Sequence, residues 1–391
     1  MIKKYISLQK NIVKTTEKYS LKNVIKYFQK ESNEEPFMIC NIFDIWNKIN
    51  LWEQNLPNVK PYYAMKCNPD ETILKLMIFY GMGFDCASKN EIKKILSLGG
   101  SSENIIFANP CKIPEHVEFA KKNNVVKMTF DSVTELYKIK KIYPDAQLLI
   151  RIQVDDSKSL LKFNSKFGVS MNDVDEILKE AKLINSNIVG ISFHVGSGCH
   201  DENVFYDALK DCKTVYNIAK KYGFQLNIVD IGGGFPGDNN EKFKKMSSII
   251  ETSIKEHFED TKDVKFIAEP GRYMVASAFT LVTNVIHKKY FQNQIIYYLS
   301  EGVYGSFNNI ISDKAKIKLL LLEENDNKKY KSIIYGPSCD SYDIIFKDCE
   351  LPELEIDDTI YVENMGAYTV AISSTFNGFP IVKVFYYVSN M

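Results

Sequence analysis

The sequence has no excess of charge of either sign and no long hydrophobic run. Its 49 lysines and arginines are matched by 49 aspartates and glutamates, so composition provides no general attraction to nucleic acid or anionic membranes. No stretch approaches the roughly 20 apolar residues that cross a bilayer. The first ten residues contain no apolar core of signal-peptide length. We therefore expect a cytoplasmic protein that has neither a membrane nor a nucleic acid as its partner.

Histidines and paired cysteines are also scarce. The five histidines do not stand at metal-ligand spacing with the cysteines, which argues against a zinc site. The eight cysteines include no CxxC pair and no disulfide-like spacing. This usage is typical of reduced thiols in a cytosolic protein, and we expect no metal.

One pattern repeats through the middle of the chain: a short apolar run ends in a polar or charged residue or glycine, and an amphipathic helical stretch follows. The eight run-ends are Lys66, Asp85, Asn109, Asp131, Arg151, His194, Gly232 and Glu269. Strands that alternate with helices predict a parallel sheet. Eight of them in roughly 200 to 250 residues predict an α/β fold, a (β/α)8 barrel, here over residues 42–275. Functional groups in that fold lie at the C-terminal strand ends, where these residues fall.

After Glu269 the helical periodicity fades and strand-like runs follow one another. They cover residues 279–287, 294–299, 317–322, 330–335, 358–362 and 380–388. Turn-type residues separate them, which predicts a mainly antiparallel β domain over residues 276–391. Residues 35–41 predict one more strand, and we assign residues 1–41 to the same domain.

The barrel-strand ends offer a lysine, an arginine, a histidine, acidic residues and a triple glycine. They contain neither a metal-ligand set nor the parts of a Ser-His-Asp triad. A strand-end lysine can form a Schiff base with an aldehyde, and a carboxylate can keep a pyridine nitrogen protonated. Glycine-rich loops present backbone N–H groups to a phosphate. These groups fit an anionic cofactor with a cationic ring and a carbonyl, but strand ends alone do not identify it.

Eight motifs carry more specific information. In chain order they are PYYAMKCN (61–68), GFDCAS (83–88), FHVGSG (193–198), DIGGGFPG (230–237), AEPGRY (268–273), GVYGSFN (302–308), GPSCD (336–340) and ENMGAYT (363–369). Each alone is weak, but the ordered set closely resembles the ornithine decarboxylases, pyridoxal-phosphate enzymes of the alanine-racemase-like class. The resemblance covers most of the chain and implies a carboxy-lyase of the group that acts on ornithine, lysine, arginine or diaminopimelate.

The resemblance implies roles for five residues around the cofactor ring. Lys66 matches the lysine that binds pyridoxal 5'-phosphate covalently, and Asp85 matches an acid beside it. Glu269 matches the partner of the ring nitrogen, Arg151 matches the arginine that orients this carboxylate, and His194 matches an imidazole stacked on the ring. Without the resemblance, Lys66 could be a surface lysine. Glu269 and Arg151 could each be half of a buried ion pair that serves only the fold, and His194 could be a core residue with its hydrogen bonds satisfied.

The resemblance also implies a phosphate site. The matching residues are Ser197, Gly234, Gly271, Arg272 and Tyr368. A glycine-rich run alone could be a plain tight loop, because such runs give many false positives.

The substrate residues implied by the resemblance lie in the β domain, and in the family some of them reach across a homodimer interface. Cys339 matches the acid that protonates the α-carbon after carbon dioxide leaves. Asp340 and Asp313 match acids that bind the distal amine, since a desolvated cation needs paired charge. Phe376 matches a wall of the pocket, and Ser312 stands where the family usually has tyrosine. Lys166 and Asp343 match an ion pair across the dimer interface.

The implied reaction is conversion of L-ornithine to putrescine and carbon dioxide, a step of polyamine biosynthesis. Several departures bear on the substrate: Lys314 stands where histidine is usual, and Ser300-Glu301 replaces the more frequent Asn-Asp. Decarboxylation of arginine or lysine is the enzymatic alternative. A catalytically dead homologue that binds a regulator, as antizyme inhibitors do, is the alternative from another class, and an antizyme-like protein is then the partner.

Overall fold

The computed structural model describes residues 2–8, 12–14, 20–33, 35–199, 201–261, 263–323 and 328–388. The chain divides into two compact units, Asn50–Tyr273 and Met1–Ile49 with Met274–Met391. We call the first the barrel unit and the second the β unit. In the ranges just given, no helix is both long enough and apolar enough to cross a membrane. The domain limits at 42–275 and at 1–41 with 276–391 stay a prediction.

The strands and helices are numbered along the chain. The strands are β1 (Ile12–Lys14), β2 (Phe37–Asn41), β3 (Val59–Ala64), β4 (Gly83–Cys86), β5 (Ile105–Phe107), β6 (Lys127–Phe130), β7 (Gln147–Arg151), β8 (Ser159–Leu161), β9 (Asn187–Ser192), β10 (Ser197–Cys199), β11 (Ile228–Asp230), β12 (Lys265–Ala268), β13 (Phe279–Phe291), β14 (Gln294–Leu299), β15 (Leu320–Leu321), β16 (Lys329–Tyr335), β17 (Ile344–Pro352), β18 (Thr359–Val362) and β19 (Lys383–Val388). The helices are α1 (Ile2–Leu8), α2 (Leu21–Gln29), α3 (Ile42–Asn55), α4 (Glu71–Phe79), α5 (Lys89–Ser97), α6 (Pro114–Lys122), α7 (Val133–Ile142), α8 (Val174–Leu183), α9 (Val204–Lys221), α10 (Asn240–Phe258), α11 (Arg272–Val275) and α12 (Asn309–Ser312).

Parallel strands close the barrel in the order β3-β4-β5-β6-β7-β9-β11-β12, and β12 pairs back to β3. The predicted (β/α)8 barrel is therefore confirmed. Several of its helices begin at a side-chain cap: Asp70, Ser88 and Ser132 each accept a hydrogen bond from the backbone N–H three residues later, at 3.1, 3.3 and 3.3 Å. Such caps satisfy donors that a helix start leaves without a partner, so they fix where each strand-to-helix loop ends.

Inward-facing side chains of the barrel form layers, because alternate residues of a strand point to opposite faces. The middle layer is a buried apolar cluster that includes Tyr62, Ile106, Leu149, Ile228 and Ile267. Two residues further along the chain from Leu149, Ile228 and Ile267, the same face carries Arg151, Asp230 and Glu269. The barrel thus places charged groups directly above an apolar layer, at the C-terminal ends of its strands.

The strands of the β unit follow the order β1-β19-β2-β13-β14-β16-β17, with β18 on β13 and β15 on β18. Most pairs are antiparallel, as predicted, whereas β1 with β19, β19 with β2 and β14 with β16 run parallel. The early strand β2 lies between β19 and β13, so the two ends of the chain share one sheet.

The strand prediction for this unit was wrong in three places. Of residues 317–322 only the short β15 is a strand, and the sequence did not predict β1 or β17. Strand β17 lies at the end of the sheet order, with exposed Lys347, Asp348 and Glu350. Edge strands often carry such charges, and here they interrupt the apolar pattern by which strands are predicted.

Candidate active site

Lys66 lies at the barrel mouth, in the short 3-10 turn Met65–Cys67 that follows β3. Its ammonium group forms an ion pair with Asp85 of β4. The Lys66 side chain is 44% exposed and the Asp85 side chain 1%, so a buried acid holds an amine that small molecules can reach. Asp85 Oδ1 is buried without a hydrogen-bond partner in the described structure, which leaves this oxygen available to a bound group.

Glu269 follows β12 and carries a buried carboxyl group. Burial raises its pKa well above the ordinary value, and the nearby Asp230 and Asp85 add to this rise. Its backbone N–H donates to Gly232 O at 2.6 Å, whereas Oε1 is buried with no partner among the described residues. A cationic ring nitrogen is the kind of group that this buried carboxyl group fits, because burying a carboxylate is costly unless an opposite charge pairs with it.

Arg151 ends β7 and supplies positive charge to the same layer. Burial lowers its pKa, while Glu269, Asp131, Asp85 and Asp230 counteract this shift. Its guanidinium carbon lies 5.0 Å from the centre of the Phe167 ring, a cation–π distance. No described carboxylate lies within ion-pair distance of it. Arg151 therefore acts on Glu269 through its field rather than through a direct contact in this structure.

His194 lies beyond β9, and its ring is neutral. Burial lowers its pKa well below the ordinary value, and the charges of Arg151 and Lys66 lower it further. Nδ1 accepts a hydrogen bond from Gly196 N–H at 3.0 Å, so the neutral ring carries its proton on Nε2. The Phe163 ring packs edge-on, with the ring centres 4.9 Å apart. These contacts fix the imidazole plane at the mouth.

The phosphate-site residues of the barrel unit surround a turn that excludes side chains. Gly232 and Gly234 have φ of +65° and +104°, a region that favours glycine. A Cβ on Gly232 would strike Phe193 O, and one on Gly234 would lie 2.7 Å from Val195 Cγ2. Close by in the fold, Arg272 Nη2 donates to Ser197 Oγ at 3.2 Å. A glycine turn beside an arginine and a hydroxyl fits an anionic group such as a phosphate.

In the β unit, Tyr304 joins several of the predicted substrate residues. Its hydroxyl donates to Asp340 Oδ2, and its ring centre lies 4.5 Å from that of Phe376. The hydrogen bond from Tyr304 lowers the pKa of Asp340, so this carboxylate is kept ionised and able to bind a cation. Cys339 is exposed, and its N–H donates to Asn377 Oδ1 at 2.9 Å.

The other predicted residues of the β unit have different surroundings. Asp313 is buried just after α12. Ser312 is exposed, and its hydroxyl donates to Asn308 O at 3.0 Å. Tyr368 has a φ of +53°, which is uncommon for an aromatic residue. The Asp343 carboxylate is buried and accepts hydrogen bonds from Val303 N–H and Ser338 N–H, and its ion pair across an interface stays a prediction.

Two of the buried carboxyl groups to which the sequence assigned no role lie near the predicted site residues. Asp230 is fully buried at the end of β11, beside Glu269. In the sequence, its position two residues before Gly232 was the feature that could have indicated a place in the site. Glu301 differs in the sequence from the usual family pattern, which by itself indicates no role. Its Oε1 accepts from Gly302 N–H at 3.0 Å and from Ser306 N–H at 2.8 Å, and burial raises its pKa to about 7. It thereby holds the turn that carries Tyr304.

Comparison with known proteins gives a consistent result. Residues 43–276 match the family model described as pyridoxal-dependent decarboxylase, pyridoxal binding domain. A probable ornithine decarboxylase of Dictyostelium discoideum is 43% identical, over 95% of this chain and 84% of its own length. The ornithine decarboxylase of Mus musculus is 42% identical (96% and 85%). Antizyme inhibitor 2 of Xenopus laevis is 40% identical (94% and 84%).

Solved structures share the fold over nearly the whole chain. The arginine decarboxylase of Paramecium bursaria Chlorella virus superposes with a TM-score of 0.90 at 36% identity, covering 94% of this chain and 100% of its own. The lysine decarboxylase of Selenomonas ruminantium gives a TM-score of 0.86 at 34% identity, covering 96% and 97%.

Proposed function

The chain belongs to the pyridoxal-dependent decarboxylase family, and on that premise we propose that it decarboxylates L-ornithine to putrescine and carbon dioxide. Membership makes it a carboxy-lyase whose cofactor is pyridoxal 5'-phosphate. When bound, this cofactor supplies an aldehyde for an amine and a protonated ring that accepts the electron pair left by carbon dioxide. The product would enter polyamine biosynthesis.

The barrel residues divide the work of holding this cofactor. Lys66 would hold the aldehyde, and Asp85 orients the Lys66 amine. The carboxylate of Glu269 would face the ring nitrogen, and the neutral His194 would cover a ring face. Ser197, Gly234, Gly271, Arg272 and Tyr368 would bind the phosphate. The observation that carries the proposal is a reachable Lys66 that forms an ion pair with the buried Asp85 and acts electrostatically on the buried carboxyl group of Glu269.

For the substrate, we propose that the β unit of a partner subunit completes each site in a homodimer. Asp340, kept ionised by Tyr304, and Asp313 would bind the distal ammonium, and Phe376 would pack on the substrate methylenes. Ser312 would border this pocket. The exposed thiol of Cys339 would return a proton to the α-carbon. Two short acids suit the short ornithine chain better than the longer arginine.

The experiment is a substrate panel that measures carbon dioxide release from ornithine, lysine and arginine by the purified holoenzyme. Lysine is one methylene longer than ornithine, and one methylene in a pocket changes kcat/KM by about 10- to 200-fold. We therefore expect kcat/KM for ornithine to exceed that for lysine at least about tenfold. A preference for lysine or arginine would contradict the proposal. No turnover of any of the three, with cofactor bound, would favour a regulator like antizyme inhibitor 2.

Replacement of Glu269 by glutamine separates chemistry from cofactor binding. Loss of a group that stabilises developing charge costs about 10²-fold or more in turnover, whereas the covalent link and phosphate contacts remain. We expect kcat to fall by about this factor while cofactor affinity, measured by titrating the apoprotein, changes much less. The exposed Glu115 offers a control, because Glu115→Gln is expected to leave both quantities unchanged. Wild-type turnover in Glu269→Gln with cofactor bound would refute the role of Glu269.

A further inference from the structure

Asp230 is a buried acid that the roles described so far do not use. It ends β11 and is 0% exposed, and β11 pairs with β12 in register, Asp230 opposite Ile267. The barrel alternation therefore points Asp230 inward, in the same layer as Glu269. The two carboxyl groups lie within hydrogen-bonding reach of each other. Two acids of adjacent strands thus meet directly below the barrel mouth.

The backbone fixes both acids to the same glycine turn. Asp230 Oδ1 accepts from Gly232 N–H at 2.9 Å, and Gly232 O accepts from Glu269 N–H at 2.6 Å. Each acid keeps one buried oxygen without a donor from the described residues, Asp230 Oδ2 and Glu269 Oε1. Two facing carboxylates cannot both stay ionised in such a site, so one of them has to carry a proton.

We propose that Asp230 is a positioning residue for the cofactor ring: it holds a proton that it donates to Glu269, so that the pair carries one negative charge, located on Glu269. The cationic ring nitrogen would lie next to Glu269. The single negative charge of the pair is therefore most favourable on Glu269, where it is closest to that cation. Asp230 then keeps the shared proton, and its hydrogen bond turns the other Glu269 oxygen toward the ring. This inference rests on the proposed role of Glu269 and not on the choice of substrate.

The charges around the pair are consistent with one retained proton. Asp230 faces Glu269, which follows β12, as well as Asp85 of β4 and Arg151 of β7. It also acts on Tyr62 of β3 and on Cys212 of α9. Burial raises the pKa of Asp230 to about 7 and Asp85 adds to this, while Glu269, Gly232 N–H and Arg151 counteract it. Lys66 is ion-paired with Asp85, and Arg151 acts on both Asp230 and Glu269. Two cations among three acids leave one negative charge in excess, which a bound proton neutralises.

The test compares Asp230→Asn with Asp230→Leu. The asparagine amide can accept from Gly232 N–H and donate to Glu269, so it copies a protonated Asp230. Leucine can do neither. The main readout is the ¹⁵N NMR signal of the ring nitrogen in holoenzyme reconstituted with ¹⁵N-labelled pyridoxal phosphate, together with kcat for the preferred substrate of the panel.

We expect Asp230→Asn to keep both the wild-type ring-nitrogen signal and turnover close to wild type. Asp230→Leu is expected to move the signal toward that of an unprotonated ring and to lower kcat about 10- to 100-fold, the effect of losing a hydrogen bond to a charged group. A shifted signal in Asp230→Asn would show that Asp230 is ionised and would overturn the proposal. If Asp230→Leu lowers kcat but leaves the ring-nitrogen signal unchanged, Asp230 only caps the glycine turn, and the proposed positioning role is wrong.

A second measurement uses the apoprotein and needs no cofactor. An acid with a raised pKa keeps its proton in the folded state while the unfolded chain releases it, so the stability that Asp230 contributes to the wild type falls as pH rises from about 4 to about 7. Asparagine does not titrate. The free energy of unfolding of Asp230→Asn minus that of wild type is therefore expected to increase across this pH range. If this difference in free energy of unfolding stays constant with pH, the proposal is overturned. Glu269→Gln distinguishes a failure of the role proposed for Asp230 from a failure of the role proposed for Glu269. An unchanged ring-nitrogen signal in Glu269→Gln would refute the role of Glu269 itself.

Discussion

Lys66→Ala is expected to lower turnover at least about 10³-fold, within the range for loss of a positioned group that transfers protons. Lys66 is the amine at the barrel mouth, half exposed and held by the buried Asp85. Borohydride reduction of the wild-type holoenzyme, followed by peptide mapping, should place the pyridoxyl group on Lys66. The variant should take up no such label.

Lys60 provides the matched control, because it is an exposed lysine of the same strand, β3. Lys60→Ala is expected to keep its label on Lys66 and to retain turnover. A pyridoxyl group on any other lysine of the wild-type protein would contradict the assignment of Lys66, whatever the variant does.

Two inactive variants are expected to restore activity when they are mixed. Lys66→Ala removes a residue of the barrel unit, and Cys339→Ala removes the exposed thiol of the β unit. In a two-fold dimer with shared sites, random exchange makes half of the molecules heterodimers. One site of each heterodimer then inherits both defects and the other inherits neither. Activity should return to about a quarter of wild type.

A second mixture serves as the control. Lys66 and Asp85 form an ion pair within one chain, so a mixture of Lys66→Ala with Asp85→Ala leaves one defect in every site and should stay inactive. Subunit exchange can be verified by mass spectrometry of differently tagged chains. If the first mixture exchanges subunits and still stays inactive, the shared site and the requirement for a dimer are both wrong.

The barrel and the residues at its mouth could be predicted because local pattern and geometry agree there. Short apolar runs alternate with amphipathic stretches, and parallel strands bring their C-terminal ends to one edge. Lys66, Asp85, Arg151, His194 and Glu269 stand at or just beyond such ends, so the sequence alone could place them together.

Other features depend on contacts that the local pattern does not encode. Strand β17 carries exposed charges because it lies at the sheet edge, and its pairing with β16 is visible only in three dimensions. The parallel pairing of β19 with β2 joins the two ends of the chain. Asp230 resembled part of a glycine loop, and its role depends on facing Glu269 from an adjacent strand. The spacing of Asp230 and Glu269 along the chain does not indicate that the two carboxyl groups lie close together.

The alternation of side chains in the barrel also determines where the gene tolerates insertions and deletions. Asp85 faces inward because β4 keeps its register with β3, Ala64 opposite Asp85. An inserted or deleted codon within β4 would turn the carboxylate toward the surrounding helices and bring an apolar neighbour into its place. Changes of length among homologous genes are therefore expected to fall in the segments between strands. The distances between the site residues depend on the register of the barrel strands, whereas the number of residues between the strands can vary.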